Sequence, residues 1–151
     1  MRSNGAFVFI MMTKENSIEE REAAIIETFD GVDDVMERYE LIIDYGKKLS
    51  PLPDQYKKDE YLVKGCQSKV WLHAYFKDGK IYYEADTNTA ITKGIVAMLI
   101  EVLSGQPPKA IVEAPLHFIE AIQLRSHLSS QRSNGLTAMI QRMKAYAASY
   151  L

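Results

Sequence analysis

The chain has 151 residues with 47% hydrophobic and 25% charged side chains, which is ordinary for a globular protein and predicts one domain. A formal net charge of -2 gives no attraction toward nucleic acid or an anionic membrane surface, so neither is expected as a partner. One cysteine, no secretory segment and no run of roughly 20 apolar residues predict a cytoplasmic protein that spans no membrane.

The N-terminal region has no pattern of regular structure. Residues 6–12 are apolar, but this run is too short for a signal peptide and has no small-residue cleavage site. We therefore expect residues 1–16 to form a disordered leader and residues 17–151 to form a single domain.

Two helices are predicted at the start of this domain. Ser17 and Glu20 have the spacing of a capping box, in which each side chain bonds the other's backbone N–H, so a helix is predicted from there to Phe29. Gly31 interrupts the pattern, and a second helix is predicted to begin near Asp33. Its apolar stripe is predicted to contain Val35, Met36, Tyr39, Ile42, Ile43 and Leu49.

A β-hairpin is predicted after the second helix, which ends at Pro51 because proline lacks the N–H that a helix needs. Residues 69–77 alternate between apolar and other side chains, as a pleated strand does. Asp78 and Gly79 are typical of a hairpin turn, and residues 80–85 are predicted to form the return strand.

Helical patterns fill the rest of the chain. Residues 90–103 are apolar on nearly every side and predict a buried central helix, and shorter helical elements are predicted at 110–112 and 116–124. The last helix, over residues 135–150, is expected to present Leu136, Met139, Ile140 and Met143 inward and Arg142 and Lys144 outward. This order of elements predicts an α+β fold, with several helices packed on one face of a small antiparallel sheet.

The one cysteine, Cys66, follows Gly65 in a polar stretch before the first predicted strand. One thiol forms no internal disulfide and is too few ligands for a zinc site or an iron–sulfur cluster, so no bound metal is expected. Free cysteine is most often a buried and inert core residue. Here the flanking residues are polar, and the ammonium groups of Lys64 and Lys69 are expected to favour the thiolate, which points to a reactive loop cysteine.

The candidates for a general base beside such a thiol are His73, His117 and His127. No glycine pattern for an oxyanion hole and no orienting partner accompany them, so a catalytic Cys–His pair is not favoured. Stacking on nucleic acid is not favoured either, because no basic patch accompanies the aromatic residues of the hairpin. These residues are interpreted as sheet packing: Trp71, Tyr75, Tyr82 and Tyr83.

Three further motifs follow one another along the chain. Residues 65–71 read Gly-Cys-Gln-Ser-Lys-Val-Trp, residues 86–95 read Asp-Thr-Asn-Thr-Ala-Ile-Thr-Lys-Gly-Ile, and residues 128–140 read Leu-Ser-Ser-Gln-Arg-Ser-Asn-Gly-Leu-Thr-Ala-Met-Ile. In this order and at these intervals, they resemble the SufE family of sulfur acceptor proteins, which includes the CsdE proteins. The resemblance extends from about residue 18 to the C-terminus and implies a fold like that of SufE and IscU proteins.

The resemblance implies a function in sulfur transfer. A pyridoxal-phosphate cysteine desulfurase of the SufS or CsdA type would pass persulfide sulfur to Cys66 and be stimulated by its removal. The sulfur would then pass to an iron–sulfur assembly scaffold of the SufBCD type. On this interpretation the chain binds no cofactor itself, because pyridoxal phosphate belongs to the desulfurase.

The resemblance also implies roles for individual residues. The persulfide is expected on Cys66, with a supporting loop of Gly65, Gln67 and Ser68. The residues expected to form the persulfide environment or the partner contact are Asp86, Asn88 and Arg132. The chain departs from the family pattern at Lys69, where glutamine is common, and at Asn88, where some relatives are acidic, which bears on the choice of desulfurase.

A self-contained cysteine enzyme, such as a thiol hydrolase or peroxidase acting on a small molecule, is the alternative from another functional class. An IscU-type scaffold shares the general architecture, but one cysteine supplies too few ligands for a cluster. Since an exposed reactive thiol is readily oxidised, the resting loop is expected to shield Cys66.

Overall fold

The computed structural model describes residues 16–151. Its helices are Ile18–Phe29 (α1), Val35–Lys47 (α2), Ala90–Leu103 (α3), Pro108–Glu113 (α4), His117–Ala121 (α5) and Ser130–Ala148 (α6). Its strands are Val70–Lys77 (β1) and Lys80–Thr87 (β2), and short 3₁₀ turns lie at Asp54–Tyr56, Asp59–Tyr61 and Arg125–His127. The predicted α+β fold with its antiparallel hairpin is confirmed. None of the helices in this part of the chain has the length and apolar content needed to cross a membrane.

The predicted capping box at the start of α1 is confirmed. The Ser17 hydroxyl accepts from the backbone N–H of Glu20 at 3.1 Å, and the Glu20 carboxylate accepts from the N–H of Ser17 at 2.9 Å. Residues 1–15 of the predicted leader lie outside the described residues, whereas the Asn16 carbonyl accepts from Gln106 Nε2 at 2.8 Å. Asn16, the first described residue, is therefore bonded to the rest of the domain.

The hairpin is fully paired from Val70 opposite Thr87 to Lys77 opposite Lys80. Asp78 and Gly79 both have positive φ, at 52° and 79°, as a tight turn with the twist of the flanking strands requires. The inner face of the sheet contributes Val70, Leu72, Ile81, Tyr83 and Ala85 to the core. β2 extends two residues beyond the predicted end at residue 85, so Asp86 belongs to the sheet and not to the following loop.

The buried central helix predicted from residue 90 is confirmed as α3, which lies at the centre of the hydrophobic core. It packs closely against α2 because glycines face each other where the two helices cross. A Cβ on Gly94 would lie 1.9 Å from the carbonyl oxygen of Ile42, and one on Gly46 would lie 2.9 Å from the backbone nitrogen of Gly94. The close approach of α2 and α3 therefore depends on the absence of side chains at these positions.

Three expectations about the helices are wrong. In α2, Met36 is 65% exposed and Val35 47% exposed, whereas Arg38 is only 9% exposed. The last helix begins at Ser130, earlier than predicted, because the Ser129 hydroxyl accepts from the backbone N–H of Arg132 and caps it. The α6 side chains expected to face outward are half-buried and donate to backbone carbonyls, Arg142 to that of Leu62 and Lys144 to that of Ala114.

Candidate functional site

Cys66 lies in a loop of residues 63–70, called the Cys66 loop below, that leads into β1. The loop is closed at its base by a hydrogen bond from the Val63 N–H to the Val70 carbonyl at 2.8 Å. Just before it, Leu62 forms an isolated antiparallel bridge with Trp71. Within the loop, Gly65 has φ of 96°, a backbone conformation that residues with a side chain rarely adopt.

The C-terminal half of the Cys66 loop is bonded to the end of β2 and the start of α3. The Thr87 hydroxyl donates to the Lys69 carbonyl at 2.6 Å. The hydroxyls of Ser68 and Thr89 are 3.2 Å apart and share a hydrogen bond. These contacts fix the half of the loop that follows Cys66.

The Cys66 loop lies directly on α6, where small residues allow close contact. The Cys66 thiol donates to the backbone carbonyl of Gly135 at 3.6 Å, and a Cβ on Gly135 would lie 3.4 Å from Cys66 Sγ. A Cβ on Gly65 would lie 3.2 Å from the Cβ of Ala138. Cys66 is half-buried in this arrangement, so the loop shields it in part.

A small cavity of about 10 Å³ lies beside Cys66. Its lining residues are Cys66, Gln67, Ser68, Thr92, Ile95, Arg132, Gly135 and Met139. Its volume corresponds to about one water molecule. Among the described residues, the buried Nε–H of Arg132 has no hydrogen-bond partner, which is uncommon for a buried donor. The fold therefore brings Gln67, Ser68 and Arg132 together with Cys66.

Asp86 and Asn88 do not line this cavity. Asp86 lies in β2, where its carboxylate contacts Lys57 Nζ at 3.2 Å and Lys93 Nζ at 3.5 Å, and Asn88 is exposed. Burial raises the pKa of the Asp86 carboxyl, but the N–H of Thr87 and the two ammonium groups outweigh it, so the pKa lies below its ordinary value. Asp86 therefore ties the end of the 3₁₀ turn Asp54–Tyr56, through Lys57, to the sheet and to α3.

The expectation that neighbouring lysines favour the Cys66 thiolate is wrong for this conformation. Burial raises the pKa of the Cys66 thiol above its ordinary value, because the thiolate is poorly solvated in a half-buried position. Lys64 and Lys69 are exposed, so water screens their charges. At neutral pH, Cys66 is therefore a thiol in the closed loop.

This raised pKa predicts a shifted pH profile for alkylation. We expect the rate of Cys66 alkylation by iodoacetamide to reach its midpoint at a higher pH in the folded chain than in the same chain unfolded in concentrated urea, because burial disfavours the reactive thiolate. Mass spectrometry of samples quenched across a pH series measures both profiles. A folded-state midpoint at or below the unfolded one would contradict this conclusion.

The three histidines lie away from the thiol contacts. His73 Nδ1 lies 2.9 Å from Glu84 Oε1, and its ring stacks on that of Tyr56 with centroids 3.7 Å apart. His127 Nε2 accepts from Arg38 Nε at 3.1 Å. Neither these histidines nor the exposed His117 line the cavity beside Cys66. Among the described residues, no histidine is therefore placed to act as a general base for this thiol.

Several residues around Cys66 were not singled out from the sequence. Thr92, Ile95 and Met139 line the cavity, and the Gly135 carbonyl accepts a hydrogen bond from the thiol. All four residues lie inside the motifs quoted above, at residues 86–95 and 128–140, and this was the sequence signal that could have identified them. The helical pattern alone predicts Ile95 and Met139 as core residues and does not indicate their proximity to the thiol.

A protein-family model described as "SufE: Fe-S metabolism associated domain" matches residues 23–147. SufE-like protein 1, chloroplastic/mitochondrial, of Arabidopsis thaliana is 38% identical over 124 residues, 82% of this chain and 33% of that protein. The chain therefore spans about a third of that relative. An uncharacterized SufE-like protein of Synechocystis is 38% identical over 128 residues, 85% of this chain and 80% of that protein. One of Rhizobium meliloti is 35% identical over 128 residues, 82% of this chain and 91% of that protein.

A solved structure also resembles this chain. The solution structure of a hypothetical protein from Thermus thermophilus has a TM-score of 0.71, with 24% sequence identity, and covers 85% of this chain and 94% of that chain. At this identity the likeness concerns the fold alone. The α+β arrangement that carries the Cys66 loop is therefore shared with an experimentally determined protein.

Proposed function

Because the chain belongs to the SufE family, whose domain is associated with Fe–S metabolism, we propose that it is a sulfur carrier that accepts persulfide sulfur on Cys66. The observation that supports this proposal is the environment of the Cys66 thiol. The chain's one cysteine lies in a loop packed on α6, beside a small cavity and an arginine N–H with no partner among the described residues.

Sulfur transfer to Cys66 is a thiol exchange that needs no external oxidant or reductant. The Cys66 thiolate attacks the terminal sulfur of a cysteine persulfide on the donor protein. The donor's sulfur–sulfur bond breaks as the new bond to Cys66 Sγ forms, and the donor cysteine leaves as a thiolate. The proton lost by Cys66 balances the one that this thiolate takes up. The products are a Cys66 persulfide and a free donor thiol.

Because its pKa is raised, the Cys66 thiol is unreactive toward sulfur transfer in the closed loop and becomes reactive when the loop opens. In the closed loop, the thiol donates to the Gly135 carbonyl and is not ionised at neutral pH. Ionisation becomes favourable once the loop releases the thiol into a better-solvated position. A donor that binds the released loop therefore meets the reactive form of Cys66, whereas small oxidants meet mainly the unreactive one.

Arg132 is proposed to stabilise the persulfide. Its buried Nε–H has no partner among the described residues, and its side chain lines the same cavity as Cys66. A charged guanidinium donates a stronger hydrogen bond to an anionic acceptor than to a neutral one. The terminal sulfur of an ionised persulfide is such an acceptor, so Arg132 would favour the loaded state over the free thiol.

The proposed donor is a cysteine desulfurase of the SufS or CsdA type, and the proposed acceptor is a SufBCD-type scaffold. Removal of the persulfide frees the active-site cysteine of the desulfurase, so the chain stimulates that enzyme. Pyridoxal phosphate belongs to the desulfurase in this scheme, and this chain binds no cofactor. A cytoplasmic location stays a prediction, since the name of the Arabidopsis relative places that protein in chloroplasts and mitochondria.

The test is a sulfur-loading experiment with the full chain. After incubation with L-cysteine and a SufS-type desulfurase from the same organism, we expect the chain to gain the mass of one sulfur atom on Cys66. Cys66→Ala is expected to gain none, and a reducing agent is expected to reverse the gain. If the wild-type chain gains no sulfur while the desulfurase turns over, or if Cys66→Ala gains as much, the proposed function is wrong.

A further inference from the structure

One face of α6 supports the whole segment that carries Cys66. Arg132, Gly135, Met139 and Arg142 follow one another at intervals of three or four residues, so they form a single stripe along the helix. The first three line the cavity beside the thiol. Arg142 is the next member of this stripe and lies beyond the cavity, toward the chain segment that enters the Cys66 loop.

Arg142 binds that entering segment through its backbone. Its Nη1 donates to the carbonyl of Leu62 at 3.1 Å, and its Nη2 lies 3.4 Å from the carbonyl of Glu60. Leu62 immediately precedes the Cys66 loop and forms the isolated bridge with Trp71. A planar guanidinium can reach two carbonyls at once, which an ammonium or an amide does less well.

The two ends of the Cys66 loop are anchored differently. The end that follows Cys66 continues into β1 and is held by the Thr87 hydroxyl. The end that precedes Cys66 is not part of a strand and is held to β1 only by the Val63–Val70 hydrogen bond and the isolated bridge of Leu62. Contacts from α6 therefore contribute more to fixing this end, and Arg142 supplies two of them.

From this asymmetry we infer that Arg142 is a positioning residue that holds the entering end of the Cys66 loop on α6 and so sets how often the thiol is released. Loss of its hydrogen bonds leaves the contacts at the thiol itself unchanged but favours the open loop. Release of the thiol is a local opening, whose population follows from the contacts that close it. The consequence for sulfur acceptance rests on the proposed function, whereas the effect on thiol exposure does not.

The experiment measures the alkylation rate of Cys66 by iodoacetamide in the full chain at neutral pH, with no desulfurase present. We expect Arg142→Gln to raise the rate constant about tenfold, since loss of hydrogen bonds from a charged donor changes the opening equilibrium by about this factor. Arg142→Lys keeps the charge and one donor group, so an intermediate rate is expected. The readout reports loop opening whether or not Cys66 later proves to carry sulfur.

Arg125→Gln is the matched control. Arg125 also bonds α6, through the Ser133 carbonyl and hydroxyl and the Thr137 hydroxyl, but it does not contact the Cys66 loop. Its substitution is expected to leave the alkylation rate within about twofold of wild type. A wild-type rate in Arg142→Gln, or an equal acceleration in Arg125→Gln, would overturn the inference. If Arg142→Gln does not fold, a wild-type rate in Arg142→Lys would likewise overturn it.

Discussion

We expect Gly94→Ala to destabilise the protein more than most single substitutions would, by about 3 kcal/mol or more. The new methyl group would lie 1.9 Å from the Ile42 carbonyl oxygen and 2.6 Å from its carbonyl carbon. Both are backbone atoms of α2, so no side-chain rotation relieves the overlap, and α2 and α3 must separate. Alanine favours a helix over glycine by about 1 kcal/mol, which is too little to offset this. Urea unfolding followed by circular dichroism measures the loss.

Gly46→Ala is the graded control for this prediction. Its Cβ would lie 2.9 Å from the backbone nitrogen of Gly94 and 3.1 Å from the carbonyl carbon of Lys93, so α2 and α3 must also shift, but by less than Gly94→Ala requires. The gain in helix propensity offsets part of this strain, and we expect a smaller loss than for Gly94→Ala, about 1 to 2 kcal/mol. Equal losses in the two variants would show that the contact between Gly94 and Ile42 does not set the spacing of these helices.

The elements predicted correctly from sequence are those determined by contacts between near neighbours. The Ser17 and Glu20 capping box joins residues three apart, and the Asp78–Gly79 turn needs only its own backbone conformation. The apolar character of α3 likewise follows from composition, because a helix that is apolar on nearly every side is stable only when buried. These local sequence patterns predict structure without knowledge of which distant segments are in contact.

The elements predicted less well depend on distant contacts. The helical pattern of α2 places Met36 inside, but its side chain is 65% exposed in the described structure, whereas Arg38 is bonded to acceptors far along the chain. The return strand was predicted to end at residue 85, yet the pairing of Asp86 with Trp71 extends β2. In both cases the structure depends on a contact with a residue more than a dozen positions away in the sequence. Hydrophobic periodicity does not predict such contacts.

The sequence indicated which residues lie near Cys66 better than it indicated the charge state of the Cys66 thiol. The motifs indicated Cys66, Gln67 and Arg132, which the fold brings to one cavity. The charge state of the thiol was predicted wrongly, because Lys64 and Lys69 are adjacent in sequence but solvated in the structure. Burial by α6, which comes from a segment almost 70 residues away, determines the direction of the pKa shift instead.

We expect Arg38→Met to lower the free energy of unfolding by about 3 kcal/mol or more. Arg38 donates from Nη1 to the Val32 carbonyl at 2.8 Å, from Nη2 to the Ile122 carbonyl, and from Nε to His127 Nε2 at 3.1 Å. Methionine fills most of the space but donates to none of these acceptors. The buried Ile122 carbonyl and the half-buried Val32 carbonyl and His127 nitrogen then lack this donor, at a cost of about 1 kcal/mol or more each. Urea unfolding monitored by circular dichroism measures the loss.

Arg21→Met is the control that separates the effect of burying the arginine from the effect of losing its hydrogen bonds. Arg21 Nη1 also donates to two backbone carbonyls, those of Glu101 at 3.0 Å and Ser104 at 2.7 Å, but Arg21 is less buried than Arg38, and water can replace it there. We expect this variant to lose about 1 kcal/mol. The Arg38 contacts hold the 3₁₀ turn directly before α6. A loss in Arg38→Met no larger than that in Arg21→Met would therefore mean that these hydrogen bonds contribute little to holding this turn.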